Sequence, residues 1–532
     1  MKFSSRILVF VTLILSLSAN VFAAGMEEEL RTGVYIYDYA FERLARSHGE
    51  DLGTFVERHF RILREHNVNA LHLTVCHRDG KAFREIWLPL MRKYGIKAYL
   101  QLDFAYFLGG TPSWTEKEED RKAELAAKFI QEFQNEPMIM AFSIREEVSQ
   151  QQVNAMSRFY AKIQSKVPGF KIVTVHSSLG AAKDHPVPDP AVMGTDRYCF
   201  WWEFSGNGYL ATPTFALNWL RTDADRYYQE VAKRGADYLF VVTANTLVTA
   251  RPLEQMKKSW EKKPELLQKI ELFSREQRFG WSQMECSDKV LLRYWKYYRP
   301  PVNCTRAMIW TGILEGARSV LFWSYTPVEK AHESMSVRQR FDDWFKNPEN
   351  LKKRNFYQFG WTTMAGRPGE PNQPLEEFAE TVKGLRPYSR LICMMSKLQD
   401  SPVETDTTRK IYNRAFMIPS CQGRVVVLHN ANVGSWGQGS QSFFRDGDDI
   451  RIDEDGNLIG YTPLTGMQEV EFSVKGADPV FDFASGREIK LSDGKGKVEI
   501  LPGGGTVLYV GTREEFERLK ERSMPSAAGK LP

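Results

Sequence analysis

Between Thr32 and about Tyr325 the chain repeats one pattern, in which a short β-rich run is followed by a longer amphipathic segment. This alternation predicts parallel strands joined by helices. Eight units of this kind favour a closed barrel over an open sheet, so we predict an α/β fold built on a (β/α)8 TIM barrel. The strand-like runs are Gly33–Tyr39, Ala70–Val75, Lys97–Asp103, Met138–Ile144, Lys171–His176, Val192–Tyr198, Tyr238–Thr243 and Ser319–Tyr325.

The segments between these runs support the barrel. Leu52–Asn67 and Glu118–Asn135 repeat apolar residues at helical spacing, which predicts helices that cover the outside of the barrel. The seventh unit departs from the pattern, because a long insertion rich in Lys, Glu and Trp lies between Ala244 and Pro300. Long insertions on a barrel often build the binding cleft.

The composition changes near Ser401. Beyond it, β-rich runs such as Arg424–His429 and Thr506–Val510 alternate with Gly and Asp turns, which predicts a smaller antiparallel β-sandwich. We therefore expect a barrel over residues 25–398, a sandwich over 399–512 and a tail over 513–532 that begins helical.

The first 24 residues read as a secretory signal peptide. Lys2 and Arg6 precede the apolar run Ile7–Leu17, and small residues follow at Ala23 and Ala24. The run is shorter than the roughly 20 residues of a membrane helix, and no later stretch qualifies. We expect an exported chain, periplasmic or secreted, with no membrane span after cleavage.

Several function classes lack sequence support. There is no CxxC or HExxH element for a metal and no GxxxxGK[ST] element for a nucleotide, so we expect no metal and no cofactor. The net charge of +5 is small for 532 residues and its basic residues are scattered, which makes nucleic acid a poor partner. Among the six cysteines, export would permit Cys286 to pair with Cys304, or Cys393 with Cys421.

The fourth strand-like run ends on two acids, Glu146 and Glu147. In a (β/α)8 barrel the catalytic groups lie where strands end at the carboxyl face, and glycoside hydrolysis needs two carboxyl groups. The structural alternative is that the two acids only open a loop or the next helix, where carboxylates favour the helix dipole. Their place in the repeating pattern favours the catalytic interpretation.

Three segments resemble the superfamily of glycoside-hydrolase-type barrels. Arg145-Glu146-Glu147-Val148 resembles the Asn-Glu-Pro or Asp-Glu-Pro that ends the fourth strand there, which implies that Glu147 is the general acid/base. Gly312–Pro327 resembles the helix, Gly-Ala turn and last strand of those barrels, which implies that Trp323 forms the floor of a sugar site. Pro479–Val510 is similar to the sandwich that often follows them. The barrel resemblance spans about residues 31 to 396.

The second carboxylate stays open, because the seventh strand reaches Asn245 without the Glu of the main retaining clan. Thr195-Asp196-Arg197-Tyr198 resembles the Asp-x-Tyr of several sugar-cleaving barrels, which favours Asp196. Glu285 could enter from the insertion, although an exposed loop acid is the more frequent case. Glu146-Glu147-Val148 is also similar to the Asp-Glu-Val of β-hexosaminidases, in which Glu146 would orient an acetamido group.

Further side chains are expected to bind the sugar. Aromatic rings pack on the C–H face of a sugar while polar groups bind its hydroxyls. Arg145 could alternatively keep a neighbouring acid ionised, which suits a nucleophile or base, and His176 could equally be a buried core histidine. The predicted substrate-binding residues are Asp38, Asp103, Arg145, His176, Tyr198, Trp201, Trp202, Asn245, Trp323 and Tyr325.

The sequence thus predicts an exported glycoside hydrolase that uses carboxylate general acid/base catalysis on an oligo- or polysaccharide. The rival interpretation is a non-catalytic carbohydrate-binding or surface protein on a degenerate barrel. The missing glutamate after the seventh strand favours that rival, since a fold does not fix a function.

Overall fold

The structure is a computed structural model of the 532-residue chain. The signal-peptide prediction, Tyr198, Asn245 and Glu285 lie outside the residues that it describes. Those residues are 29–77, 80–104, 115–147, 153–184, 190–197, 201–204, 213–243, 246–250, 296–337, 339–340, 364, 372–419, 421–436, 453–455 and 461–523.

Eight parallel strands form one sheet, and we name them barrel strands 1 to 8 in chain order. They pair in the order 4-3-2-1-8-7-6-5. A parallel bridge between Phe142 and Ile172 joins strand 4 to strand 5 and closes the sheet, which confirms the (β/α)8 barrel. The strands are Arg31–Tyr37, Ala70–Val75, Lys97–Leu102, Ile139–Ser143, Val173–His176, Val192–Arg197, Asp237–Thr243 and Ser319–Trp323.

Side chains alternate between the two faces of these strands. Tyr35, Tyr99 and Leu239 belong to a cluster inside the barrel, whereas Val34 and Phe240 pack toward the helices. This alternation is the period of two that every strand imposes on its side chains. Because both faces are buried, the strands read in the sequence as nearly continuous apolar runs.

Helices cover the barrel, and amphipathic ones such as Leu52–Glu65 bury one apolar face. Glu116–Phe133 begins at a capping box in which Thr115 and Glu118 satisfy each other's backbone N–H groups. The helices, numbered in chain order, are α1 Asp38–His48, α2 Leu52–Glu65, α3 Leu88–Tyr94 preceded by a π-helical turn Phe83–Trp87, α4 Glu116–Phe133, α5 Val153–Lys166, α6 Leu179–Asp184, α7 Pro213–Lys233, α8 Cys304–Leu314, α9 Gln373–Leu385, α10 Ser389–Met394 and α11 Arg513–Ser523. Short 3-10 turns span Lys330–His332, Arg386–Tyr388 and Thr407–Arg409.

The segments that follow barrel strands 6 and 7 share a small sheet of their own. Trp201–Phe204 pairs in parallel with Thr246–Ala250, which in turn pairs antiparallel with Lys296–Tyr298. The first part of the predicted insertion is therefore joined to the connection after strand 6.

Two antiparallel sheets form the C-terminal sandwich, as predicted. Apolar side chains such as Val426, Phe472 and Leu508 fill the space between them. A separate pair joins Gly434–Trp436 to Tyr461–Pro463. The first sheet contains Ser396–Lys397, Ile411–Met417, Arg424–Asn430, Gly505–Val510, Val480–Asp482 and Glu488–Ile489, and the second contains Val403–Thr405, Gln468–Val474 and Lys495–Ile500.

Helix α8 joins the barrel to the sandwich. All of its residues except Arg306 are buried, and the Glu377 carboxylate accepts the backbone N–H groups of Asn303 and Arg306 at its start, at 2.9 and 2.7 Å. The Asn303 amide donates to the carbonyl oxygens of Val433 and Leu464, both at 2.9 Å. The buried polar groups at this junction are thus satisfied across it.

The cysteines, the C-terminal helix and the search for a membrane-spanning helix complete the description of the fold. Cys421 carries a free thiol, so a disulfide between Cys393 and Cys421 is not formed, and Cys286 lies outside the described residues. Helix α11 packs Phe516 against Phe481, with ring centroids 4.8 Å apart. No helix in the described part of the chain is long and apolar enough to cross a membrane.

Candidate active site

Acidic and aromatic side chains gather where the barrel strands end. Asp103 follows strand 3, Glu146 and Glu147 follow strand 4, Asp196 lies one residue before the end of strand 6, and Trp323 ends strand 8. Each of these five residues is partly exposed. Since all eight strands are parallel, these ends open at one mouth of the barrel, which is where such folds carry their reactive groups.

The backbone of Glu147 has an unusual conformation. Its φ is +49°, in the left-handed region that residues with a Cβ rarely adopt. Its N–H donates to the carbonyl oxygen of Val175 on strand 5 at 2.9 Å, which holds this conformation. Strained positions of this kind cluster at functional sites.

The environment of Glu147 favours the protonated acid. Burial raises the pKa of its carboxyl above the ordinary value, and the nearby charge of Glu146 raises it further. A hydrogen bond with the Asp196 side chain and the charges of Arg145 and Arg197 act in the opposite direction, but burial is the larger effect. Two carboxyl groups in hydrogen-bond contact need one proton between them, so Glu147 and Asp196 form a coupled pair.

The surroundings of Glu146 differ from those of Glu147, because its side chain contacts groups that can donate hydrogen bonds to it. The Tyr35 hydroxyl donates to its Oε1 at 2.8 Å, and the His72 Nε2 atom lies 2.8 Å from the same oxygen. Tyr35 and His72 are both buried inside the barrel. A carboxylate, which only accepts hydrogen bonds, fits this surrounding.

Trp323 and Tyr37 form the aromatic part of the mouth. The indole Nε1 donates to the Tyr37 hydroxyl at 2.8 Å, and both rings are partly exposed. Burial raises the pKa of Tyr37 well above the ordinary value, and the charge of Glu146 raises it further, so the phenol stays neutral. A fixed indole with a polar neighbour suits a sugar ring.

Two further aspartates lie on the side of strands 1 to 3. Asp38 is buried and accepts the backbone N–H groups of Tyr39 and Cys76 at 2.6 and 2.9 Å, which ties the ends of strands 1 and 2 together. Asp103 accepts the Gln101 amide at 2.6 Å. Burial is the main cause that raises the pKa of each aspartate to about 6.

The structure does not bring every predicted residue into this cluster. Tyr325 is buried, and its hydroxyl contacts His59 Nδ1 of α2 at 2.9 Å, so it packs toward the helices. His176 is buried one position after Val175, a residue of the interior cluster, so strand alternation directs it toward the helices. Arg145 lies beside Glu147 and acts on its pKa.

The remaining predictions stay open. Trp201 and Trp202 lie on the strand that pairs with Thr246–Ala250, as the backbone shows. Tyr198, Asn245 and Glu285 are outside the described residues.

Sequence reasoning missed Tyr35, Tyr37 and His72. A usable signal exists, because Tyr35 and Tyr37 alternate along strand 1 and His72 interrupts the apolar run of strand 2. Polar groups at inward positions of a buried strand need partners, and here the partners are at the mouth. Among the described residues, no group of three His, Cys, Asp or Glu side chains is arranged to hold a metal ion.

No protein-family model and no curated protein matches this chain. Solved structures with a similar fold include an alpha-amylase, an endoxylanase and a mannosidase. An Anoxybacillus alpha-amylase is 9% identical with a TM-score of 0.42, and the match covers 92% of this chain and 98% of that one. A family 30 endoxylanase from Clostridium papyrosolvens is 10% identical with a TM-score of 0.36, over 91% and 97%.

A family 5 mannosidase from Rhizomucor miehei is also 10% identical, with a TM-score of 0.40 over 68% of this chain and 94% of that one. Likenesses at this level of identity and superposition carry no argument about the reaction of this chain, which must be judged by its own side chains.

Proposed function

We propose that this chain is a glycoside hydrolase that cleaves a glycosidic bond in an oligo- or polysaccharide, with Glu147 as the proton donor. The observation that carries the proposal is the contrast between two neighbouring carboxyl groups at the end of strand 4. Burial raises the pKa of Glu147, whereas Glu146 lies against a hydroxyl donor and an imidazole. Two carboxyl groups in such different surroundings suit different roles, one as the acid and the other as the base or nucleophile.

Glu147 would protonate the glycosidic oxygen as its bond to the sugar breaks. An alcohol then leaves, and the sugar ring becomes oxocarbenium-like in the transition state. A donor must hold its proton at the working pH, which a raised pKa provides. Asp196, in hydrogen-bond contact with Glu147, shares that proton and orients the carboxyl group.

Glu146 is our candidate for the second catalytic carboxylate. Carboxyl groups that flank a glycosidic bond are separated by about 5 to 5.5 Å in retaining enzymes and by about 6.5 to 9.5 Å in inverting ones. The contact between Glu147 and Asp196 is shorter than either separation, which favours Glu146 over Asp196 for this role. In a retaining reaction Glu146 would attack the anomeric carbon, and in an inverting one it would activate water.

The sugar would rest on Trp323, with hydroxyl groups bound by Asp103 and Tyr37. The indole is fixed by its hydrogen bond to Tyr37, so little side-chain entropy is lost when a ring packs on it. Trp201, Trp202, Tyr198 and Asn245 remain proposed contacts on the side of strands 6 and 7.

We also propose that the mature chain consists of a barrel at 25–398, a sandwich at 399–512 and a tail at 513–532. We further propose that the chain is exported after removal of residues 1–24. Mass spectrometry of the protein recovered from outside the cytoplasm tests this cleavage. A mature N-terminus near Gly25 is expected, and an intact Met1 in exported material would refute it.

The test of the reaction is product release from a panel of polysaccharides and aryl glycosides, acetamido sugars included. The native protein should cleave at least one oligo- or polysaccharide that Glu147→Gln does not, whereas the variant should still cleave aryl glycosides whose leaving group needs no proton. Glu85→Gln is the matched control, because Glu85 is 62% exposed and pairs only with Lys81 among the described residues. If neither native protein nor variant cleaves anything while one polysaccharide binds, the non-catalytic carbohydrate-binding protein replaces this proposal.

A further inference from the structure

A second polar cleft lies between helix α7 and the sandwich. Its volume is about 500 Å³, within the range of about 300 to 1,000 Å³ that is usual for small-molecule sites. Its walls carry side-chain amides and hydroxyls, including those of Asn218, Gln399, Ser401 and Thr407. Residues of the barrel mouth do not line it.

Two arginines form one wall of this cleft. The Arg221 guanidinium lies over the Tyr412 ring, 4.5 Å from its centroid, and donates to Asn218 Oδ1 at 3.2 Å. Arg414 donates from Nε to Glu315 at 3.4 Å and from Nη1 to the carbonyl oxygen of Asn413 at 3.4 Å. Arg414 Nη2 has no hydrogen-bond partner in the part of the chain that the structure describes, and the side chain is 28% exposed.

The charges behind this wall leave a positive excess. Arg221, Lys397 and Arg414 converge on Glu315, which is fully buried, and Lys397 also binds Asp225. Three cations against two carboxylates leave one positive charge. Because the two arginines are partly exposed, that excess is presented to the cleft rather than to the interior.

Two acids, Asp400 and Asp406, are chain neighbours of lining residues but do not line the cleft themselves. The Asp406 carboxylate accepts the Thr408 N–H at 2.9 Å and lies 3.5 Å from Arg409. Arginine binds carboxylates in a planar, often bidentate geometry. Side-chain amides and hydroxyls can hydrogen-bond to the hydroxyl groups of a sugar ring.

We propose that this cleft binds an acidic sugar residue, a uronate, whose carboxylate is bound by Arg221 and Arg414 and whose hydroxyls are bound by the amides. The inference concerns a site outside the barrel mouth and does not depend on Glu147. It assigns to the junction of the two domains a role in holding an acidic glycan.

Gln399→Glu is the decisive variant. Gln399 is exposed and has no hydrogen bond in the described residues, so the isosteric change places a carboxylate in the cleft without disturbing the Glu315 cluster. Gln131→Glu is the matched control, since it adds the same charge at an exposed position of α4.

Both changes are made in the full chain carrying Glu147→Gln, so that no sugar is cleaved during the measurement. Titration calorimetry with glucuronate, galacturonate, glucose and inorganic sulfate gives the affinities. We expect saturable binding of a uronate, competition by sulfate and no binding of glucose. Gln399→Glu should weaken uronate binding at least about tenfold by charge repulsion, and Gln131→Glu should leave it unchanged.

Three results would overturn the proposal: no saturable uronate binding, equal weakening by both variants, or no weakening by Gln399→Glu. The last would assign any uronate binding to another site, such as the barrel mouth. Glycosidase activity is measured separately on the unmodified chain, so failure here and failure of the proposed reaction are distinguishable.

Discussion

Tyr35 and His72 stack face to face inside the barrel, with ring centroids 4.2 Å apart and planes within 10°. They are register partners on strands 1 and 2, and both reach the same oxygen of Glu146. The stack holds the two rings in place, so both hydrogen-bonding groups contact Glu146 from the same side. A carboxylate held from one side keeps its other oxygen for the reaction, which is the role we assign to it.

Tyr35→Phe removes the hydroxyl and leaves the stacked ring. Hydrogen bonds to charged groups contribute about 1.5 to 3 kcal/mol, so we expect kcat/KM to fall about 10- to 100-fold. Tyr99→Phe is the matched control, since Tyr99 is buried in the same barrel and bonds Ser319 at 2.8 Å. Steady-state kinetics of both variants decide, and an equal loss in the two would point to stability and not to Glu146.

The proton of Glu147 should set the alkaline limit of activity. Because its pKa is raised, Glu147 carries the proton at low pH and loses it as pH rises, so kcat/KM should fall on the alkaline side. Glu147→Gln should abolish cleavage of natural glycosides but spare aryl glycosides whose leaving group needs no proton. A pH profile of the variant on such an aryl glycoside should lack the alkaline limb, and its persistence would assign that limb to another group.

Asp196→Ala should move that alkaline limb to higher pH. The substitution removes the hydrogen bond by which the Asp196 side chain lowers the pKa of Glu147, so Glu147 keeps its proton to a higher pH. Asp196→Asn is the matched control, because its amide can still donate to Glu147. The comparison is the midpoint of the alkaline limb in kcat/KM, and a shift to lower pH in Asp196→Ala would contradict this role of the hydrogen bond.

Asp38 should make stability depend on pH. Its pKa is raised from 3.8 to about 6 in the folded chain, so the folded state binds more protons in this window and stability falls as pH rises through it. About two pKa units at about 1.4 kcal/mol each give roughly 3 kcal/mol, an order-of-magnitude figure.

Asp38→Asn cannot ionise. The variant has a fixed cost, because one amide N–H replaces an acceptor for Tyr39 or Cys76. The native chain loses stability as pH rises from about 3.5 to about 7, and the variant does not lose this contribution. The stability of the variant relative to the native chain should therefore rise across this window. Calorimetric unfolding at several pH values measures this difference, and parallel pH dependences of the two proteins would refute it.

The barrel strands could be predicted because their physical signal is local. Ala70–Val75 has the bounds expected from the sequence, since a strand buried on both faces is a continuous apolar run. The fourth strand is shorter than predicted, Ile139–Ser143, because Ile144 donates its N–H to the Tyr160 hydroxyl of α5.

The candidate site was less accessible to sequence reasoning. Its acids could be located from strand ends, but the Tyr35–His72 stack depends on the register between two strands, which one sequence does not encode locally. Tyr325 was expected at the mouth because it ends the eighth strand-like run, yet strand 8 stops at Trp323 and the Tyr325 ring packs on α1 and α2 through Phe41 and His59. Past the end of a strand, alternation no longer determines where a side chain points.

At Glu147 the proposed reaction and the stability of the fold favour different residues, because the backbone there is left-handed. Glycine adopts this conformation without steric cost, whereas a residue with a Cβ costs about 1 to 2 kcal/mol there. Selection for stability alone would therefore favour glycine at the position where our proposal needs the proton-donating carboxyl group. A chain that lost its substrate could drift to a more stable, inactive barrel by a single codon change, so a glycine here in a related sequence would mark a lineage that has given up catalysis.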